Sequence, residues 1–204
     1  MGRSCRGECG WDDRVGGLGA GRPPLPIFAH VERLIAQGEL ISRTIQRMAA
    51  QIAESFTEGP WVLVGIQARG YAFAQRLQKD LETLLGQPVP LGGLDVTFYR
   101  DDIGRSARLK VPYPSQLPFS IEGTSIWLID DVLWTGRTVR AALEALRDLG
   151  RPARVRLAVL VDRRGHRELP IAADCVGYII DTTPQEKVLV RLDSDPPYIV
   201  VRYD

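Results

Sequence analysis

Residues 126–138 read IWLIDDVLWTGRT. An apolar run ends in two adjacent carboxylates, Asp130 and Asp131, then passes into a short turn holding Thr135, Gly136 and Thr138. Beyond it, Val139, Ala142, Leu143, Leu146 and Leu149 recur at helical spacing, and Gly150 closes the segment. A strand that enters a helix through a glycine turn favours an anion at the helix start. Free N–H groups and the positive dipole end converge there, and Gly136 lets the backbone approach. The hydroxyls of Thr135 and Thr138 add donors for phosphate oxygens. The acid pair stands at the carboxyl end of the strand, where open α/β sheets place ligands. Beside a phosphate cradle, two exposed carboxylates suit ribose hydroxyls or a magnesium ion. TGRT alone is as compatible with a plain helix cap; the combination with the acids is not. GxxxxGK[ST] is absent, which excludes a P-loop.

Outward from this segment, strands alternate with helices. WVLVGI (61–66), a segment around LDVTFY within 89–99, SIWLI (125–129) and VRLAVLV (155–161) read as strands. Residues 39–55 and 71–85 carry amphipathic helical patterns, the second with Leu84 and Leu85 among its inward positions. YII, KVLVRL and YIVVR read as short C-terminal β segments. This order predicts an α/β domain with a central, mostly parallel sheet flanked by helices. Residues 100–120 have no period and contain Pro112, Pro114 and Pro118 with Arg105, Arg108 and Lys110, the signature of a functional or disordered loop. Residues 1–26 are rich in glycine and proline without apolar periodicity and read as a disordered extension or a misassigned start. GGLGAG within them lacks both the third glycine and a preceding strand, so it is no dinucleotide loop.

Composition excludes several classes. The chain has 204 residues, 26 basic against 25 acidic, for a net charge of +1, so nucleic acid is not bound by bulk basicity. No apolar stretch reaches the ~18 residues of a membrane-spanning helix. Cys5, Cys9 and Cys175 are too few for a disulfide framework, and no partner ligands complete a zinc site around the first two. The start lacks the apolar core of a secretory signal, so a cytoplasmic protein without a membrane partner is expected. Only Lys79, Lys110 and Lys187 are lysines, leaving 23 arginines of the 26 basic residues. Arginine suits planar phosphate contacts, although a GC-rich genome gives the same bias.

LIDDVLWTGRT resembles the phosphoribosyl-diphosphate (PRPP) motif of type I phosphoribosyltransferases. VGIQARG (64–70), LDVTFYRDD (94–102), DDVLWTGRTVRAALEAL (130–146) and LAVLVDRRGHRELPIAAD (157–174) are similar to the PyrR family in particular. That family comprises pyrimidine-operon attenuators that are also uracil phosphoribosyltransferases, a class of glycosyltransferase. The resemblance runs from about residue 31 to the C-terminus. It implies the type I fold over 27–204, with a flexible lid at 100–120 and a small C-terminal β hood near 163–190.

The resemblance also implies roles. Asp130 and Asp131 would hold the ribose hydroxyls and, mainly through PRPP, Mg2+. Val132, Leu133, Trp134, Thr135, Gly136, Arg137 and Thr138 would wrap the 5′-phosphate. The loop 65–70, with Ala68 and Arg69, would take the diphosphate, and Arg100 at the lid base would also touch substrate. Asp130, Asp131 and Arg69 are the expected catalytic set. Arg163 or Arg164, with Arg164 the choice, and Val188 would cover the uracil ring. The expected ligands are uracil, PRPP and UMP, and the expected assembly is a homodimer or larger homo-oligomer. His166 receives no catalytic role, since a lone histidine in RRGHREL reads as a surface residue, and Cys175 reads as a small core residue.

The chain departs from the family pattern at several positions. Ala68 stands where the family has a threonine, and one extra arginine precedes Gly165. Family members that attenuate bind a messenger-RNA hairpin through a Thr and a His one turn apart on the first helix. Alignment puts Gln46 and Ala50 there, so binding of pyrimidine-operon leader RNA is expected to be weakened. Two other readings compete with the enzyme. One is a UMP-sensing RNA-binding attenuator with vestigial catalysis. The other is a receiver domain, but no lysine follows Asp162 until Lys187.

Overall fold

The computed structural model describes residues 31–55, 59–101 and 115–203. The expectations for residues 1–26, and for the lid apart from its two ends, lie outside them. The described elements are β1 (Val31–Gln37), α1 (Glu39–Glu54), β2 (Trp61–Ile66), α2 (Arg69–Leu85), β3 (Leu91–Leu94), β4 (Ser125–Leu133), α3 (Arg137–Leu149), β5 (Arg154–Arg164), β6 (Cys175–Asp181), β7 (Glu186–Arg191) and β8 (Tyr198–Tyr203). A parallel five-stranded sheet has the order β3-β2-β4-β5-β6, and a second, antiparallel sheet has the order β1-β8-β7.

The central strands are buried on both faces, which is why they read as continuous apolar runs. Alternation sends Leu63, Trp127, Ile129, Ala158 and Leu160 into one core with α1 and α2, a core that continues into the small sheet. Val62, Val64, Ile126, Leu128, Leu157 and Val159 meet α3 on the other face. The helical stripes are narrower than their sequences suggest: Leu84, Leu143 and Leu149 are exposed.

Four sequence readings need correction. The strand expected within 89–99 is only Leu91–Leu94, and Thr97–Tyr99 forms a 3-10 turn. The cause is Asp95, whose carboxylate accepts from the Thr97 N–H at 2.8 Å and the Thr97 hydroxyl at 2.6 Å, turning the backbone out of the ladder. Second, β4 does not stop at residue 129. Its pairing with β5 continues through Asp130↔Val159, Val132↔Val161 and Leu133↔Asp162. Third, β6 is not part of a hood, because it extends the parallel sheet beside β5. The small sheet is completed instead by β1 from the start of the described chain. Fourth, α2 begins at Arg69, two residues before its apolar stripe.

β6 is a margin of the larger sheet, and neighbouring side chains engage its carbonyls. Arg47 donates to the oxygens of Val176 (2.9 Å) and Gly177 (3.0 Å), and Arg33 to that of Asp181 (2.8 Å). Gln51 reaches the Asp174 carbonyl just before the strand at 3.4 Å.

Candidate active site

The order of the sheet changes direction at β2: β3 lies on one side of it, and β4, β5 and β6 follow on the other. The carboxyl ends of β2 and β4 therefore frame a crevice. Its floor is the acid pair. Asp130 is 6% exposed, not an exposed strand-end acid, and its Oδ1 accepts the Asp131 N–H at 3.0 Å. Burial, then the neighbouring Asp131 charge, pushes the Asp130 carboxyl well above the usual range, against the opposing charge of Arg100. Burial also raises Asp131, which the Arg69 charge partly offsets. Two charged carboxylates are thus costly here without a ligand, and hydroxyl donors or a cation relieve that cost.

Two glycines place α2 against these acids. A Cβ on Gly70 would lie 2.6 Å from the Ile129 carbonyl and 3.2 Å from Asp130 Oδ1. One on Gly65 would lie 2.6 Å from the Tyr71 Cα. No side chain fits at either position, so the first turn of α2 packs directly on β2 and β4 and carries Arg69 over the acid pair. Ile66, Gln67, Ala68, Arg69, Thr97, Arg100 and Thr138 join the two aspartates around one lobe of about 630 Å³.

A second lobe of about 590 Å³ is bounded by residues 132–139, Arg163, Glu168, Lys187, Val188 and Leu189. Gly136, at φ +93°, turns the chain into α3. Its neighbours Leu169 and Ile171 press on the turn, and the Thr135 carbonyl accepts from the N–H groups of Glu168 (3.0 Å) and Leu169 (3.2 Å). Geometry leaves the first N–H groups of α3 without helical acceptors. Arg137, itself a lining residue of this lobe, pairs with Asp101 and with Glu168, the latter at 2.6 Å. Arg100 Nη1 donates to Thr138 Oγ1 at 3.2 Å, joining the end of the 3-10 turn to the loop.

Adjacent strand residues face opposite ways, and here Arg163 lines the lobe while Arg164, the residue chosen from sequence, is exposed and lines neither lobe. Arg163 is 3% exposed and donates to Thr182 Oγ1 (3.0 Å) and to the carbonyls of Thr183 (3.3 Å) and Glu186 (2.8 Å). Its guanidinium lies 4.6 Å over the Trp134 ring. Burial lowers its pKa. Val188 sits among the lining residues, and His166 lies outside both lobes with Nε2 at the Thr182 carbonyl. Cys175 is buried, its thiol pushed up to about 11. Sequence reasoning did not single out Gln67, Thr97, Lys187 or Leu189; the period-two pattern of KVLVRL places the last two on one face.

Among the described residues, no group of three or more His, Cys, Asp or Glu forms a metal cage. Asp130 and Asp131 fit magnesium in its other common setting, one or two carboxylates with the remaining positions filled by substrate phosphates and water.

The phosphoribosyl transferase domain family matches residues 33–195. Solved structures share the fold. The hypoxanthine phosphoribosyltransferase of Trypanosoma cruzi is 24% identical, with a TM-score of 0.66 over 86% of this chain and 93% of that one. The Staphylococcus aureus enzyme of the same name is 22% identical, with a TM-score of 0.63 over 85% and 93%. The chain belongs to the phosphoribosyltransferase family. Among curated relatives, the "Bifunctional protein PyrR" of Elusimicrobium minutum is 48% identical over 79% of this chain and 90% of its own length. The protein of that name from a Roseiflexus species is 49% identical over 79% and 88%. Within the larger family, the chain is a member of the PyrR family.

Proposed function

We propose that the protein transfers the phosphoribosyl group of PRPP to N1 of uracil, giving UMP and diphosphate, and that it serves as a UMP-responsive regulator of pyrimidine gene expression. The observation that carries the catalytic reading is the pair of lobes meeting over Asp130 and Asp131. One has Arg69 and the α2 start for a diphosphate; the other has the α3 start for a 5′-phosphate and a Trp–Arg wall for a flat base. Asp130 and Asp131 accept hydrogen bonds from the ribose hydroxyls and fix the sugar between the lobes.

The bond from C1′ to the diphosphate oxygen breaks, its electron pair leaving with the diphosphate. The bond from C1′ to N1 forms, and the N1 proton passes to solvent water. Cationic character develops on the ribose, so charge and positioning, not a covalent intermediate, supply most of the rate. Asp130 and Asp131 would hold magnesium together with the substrate, and the ion would supply positive charge to the diphosphate. Arg69 neutralises the departing charge, and the α3 start anchors the far end of the substrate. The lobe beside Trp134 and Arg163, with the β7 chain at Val188 on its wall, holds the ring flat.

Incubating the purified protein with labelled uracil, PRPP and magnesium should yield labelled UMP in stoichiometry with diphosphate. Absence of UMP with uracil, at any PRPP concentration, would overturn the catalytic reading. The regulatory half rests on membership of the PyrR family, whose relatives are named bifunctional. Titration with UMP, GMP and AMP should show a preference for UMP.

A further inference from the structure

β7 alternates in the manner of a half-buried strand. Val188 and Val190 enter the core, whereas Lys187, Leu189 and Arg191 take the other face. Lys187 and Leu189 already line the base lobe. Arg191, at the end of the same face, lines a third cavity of about 190 Å³. Ala68, Arg69 and Ala72 form the opposite wall of that cavity. Ala68 and Arg69 are also walls of the 630 Å³ lobe, so the smaller cavity adjoins the diphosphate end of the cleft. The position of Arg191 is held from both sides. The Leu192 carbonyl accepts from Arg76 on α2, and the Arg191 carbonyl accepts from Ser194 Oγ at 3.0 Å.

The arginines of the cleft divide into two groups. Arg100, Arg137 and Arg163 are committed to protein acceptors. Arg69 and Arg191 make no ion pair among the described residues, yet they face one cavity. Asp193 is the one acid on its wall, which leaves the cavity net positive. A cavity lined by two arginines and the small side chains of Ala68 and Ala72 leaves room for a compact anion. Arginine binds such oxyanions with two parallel donors.

We propose that Arg191 is a second diphosphate-binding residue, which brackets the diphosphate of PRPP together with Arg69 and neutralises the charge it gains as the C1′–O bond breaks. This rests on the phosphoribosyl-transfer reading above. The test compares the unaltered protein with Arg191→Gln and Arg191→Lys. Calorimetric titration with diphosphate plus magnesium should weaken about tenfold or more in Arg191→Gln and recover in part in Arg191→Lys. UMP affinity, uracil KM and melting temperature should stay within error, while the PRPP KM rises. Inorganic phosphate should show a smaller loss than diphosphate. Unchanged diphosphate affinity in Arg191→Gln would overturn the proposal, and so would a parallel loss of UMP affinity and melting temperature. The binding titration needs no turnover. A protein that makes no UMP but loses diphosphate affinity on substitution would therefore sink the catalytic reading and leave the Arg191 site standing.

Discussion

Strands β4 and β5 carry the same chemical pair twice. Near their amino ends Arg156 lies 5.5 Å over Trp127, its partner in register. At their carboxyl ends Arg163 lies 4.6 Å over Trp134. The first pair closes on itself: Trp127 is 5% exposed, Arg156 bonds the Ser55 carbonyl at 3.3 Å, and about 20 Å³ remains beside them. The second stands open, with Trp134 42% exposed on a lobe of about 590 Å³. Residue type alone does not separate structural from binding roles here. Strand direction does, because only the carboxyl ends meet the first turns of α2 and α3, where N–H groups are unspent.

The acid pair gives the largest test of that contrast. Asp131→Asn should weaken PRPP binding about 100-fold or more in a fluorescence or calorimetric titration. The melting temperature should hold or rise, since a half-buried charge is removed. A fall in melting temperature with unchanged PRPP affinity would make Asp131 a structural acid.

Exchanging the two tryptophans separates the ends directly. Trp127→Ala should cost about 3–5 kcal/mol in denaturant unfolding and leave the uracil KM of the folded fraction unchanged. Trp134→Ala should cost under about 1 kcal/mol, as expected for a partly exposed site, and raise the uracil KM about tenfold. The opposite assignment of effects would dissolve the distinction.

Proton linkage offers a third measure. The folded-state pKa of Asp130 is raised, so above the unfolded value of about 3.9 the unfolded chain gives up this proton more readily than the folded one. Its contribution is therefore lost as pH rises through the raised folded value. For the ligand-free protein, the Asp130 component of stability should decline across that window, and Asp130→Asn should flatten it. A melting profile whose pH slope is identical in the two proteins would contradict this.

The smallest expected signal is RNA. Gln46 is exposed and Ala50 half-buried on α1, Arg43 is paired with Glu39 at 2.6 Å, and Arg47 is bound to β6. Leader-hairpin binding should be weak, steeply salt-dependent and indifferent to loop sequence. Tight, UMP-strengthened binding abolished by loop-base changes would refute it.

The parallel core was legible because VLVGI, IWLI and LAVLV are buried on both faces and advertise it by continuous apolarity. The turn into α3 was legible because Gly136 marks it locally. β1 was not: VERLIAQ becomes a strand only by pairing with Tyr198–Tyr203, at the far end of the chain. Nor was β3, where LGGL offers little side chain and Asp95 ends the ladder. Of the site, the acid pair, Arg69 and the turn were visible in sequence. The depth of Asp130 was not, since it depends on how closely Gly70 lets α2 approach. Between Arg163 and Arg164 the sequence left the choice open, because one additional arginine hides the parity of the strand end, and the fold puts Arg163 on the lobe.

Arg33, Arg47 and Gln51 have a further consequence at the margin of the larger sheet. A carbonyl already bonded to a guanidinium or an amide is poorly placed to template an incoming strand, so these side chains hem a border along which sheets would otherwise fuse. A strand adding along β6 would first have to displace these hydrogen bonds. Two arginines that look from sequence like a reserve of charge for a polyanion are thus spent on the hem of a sheet.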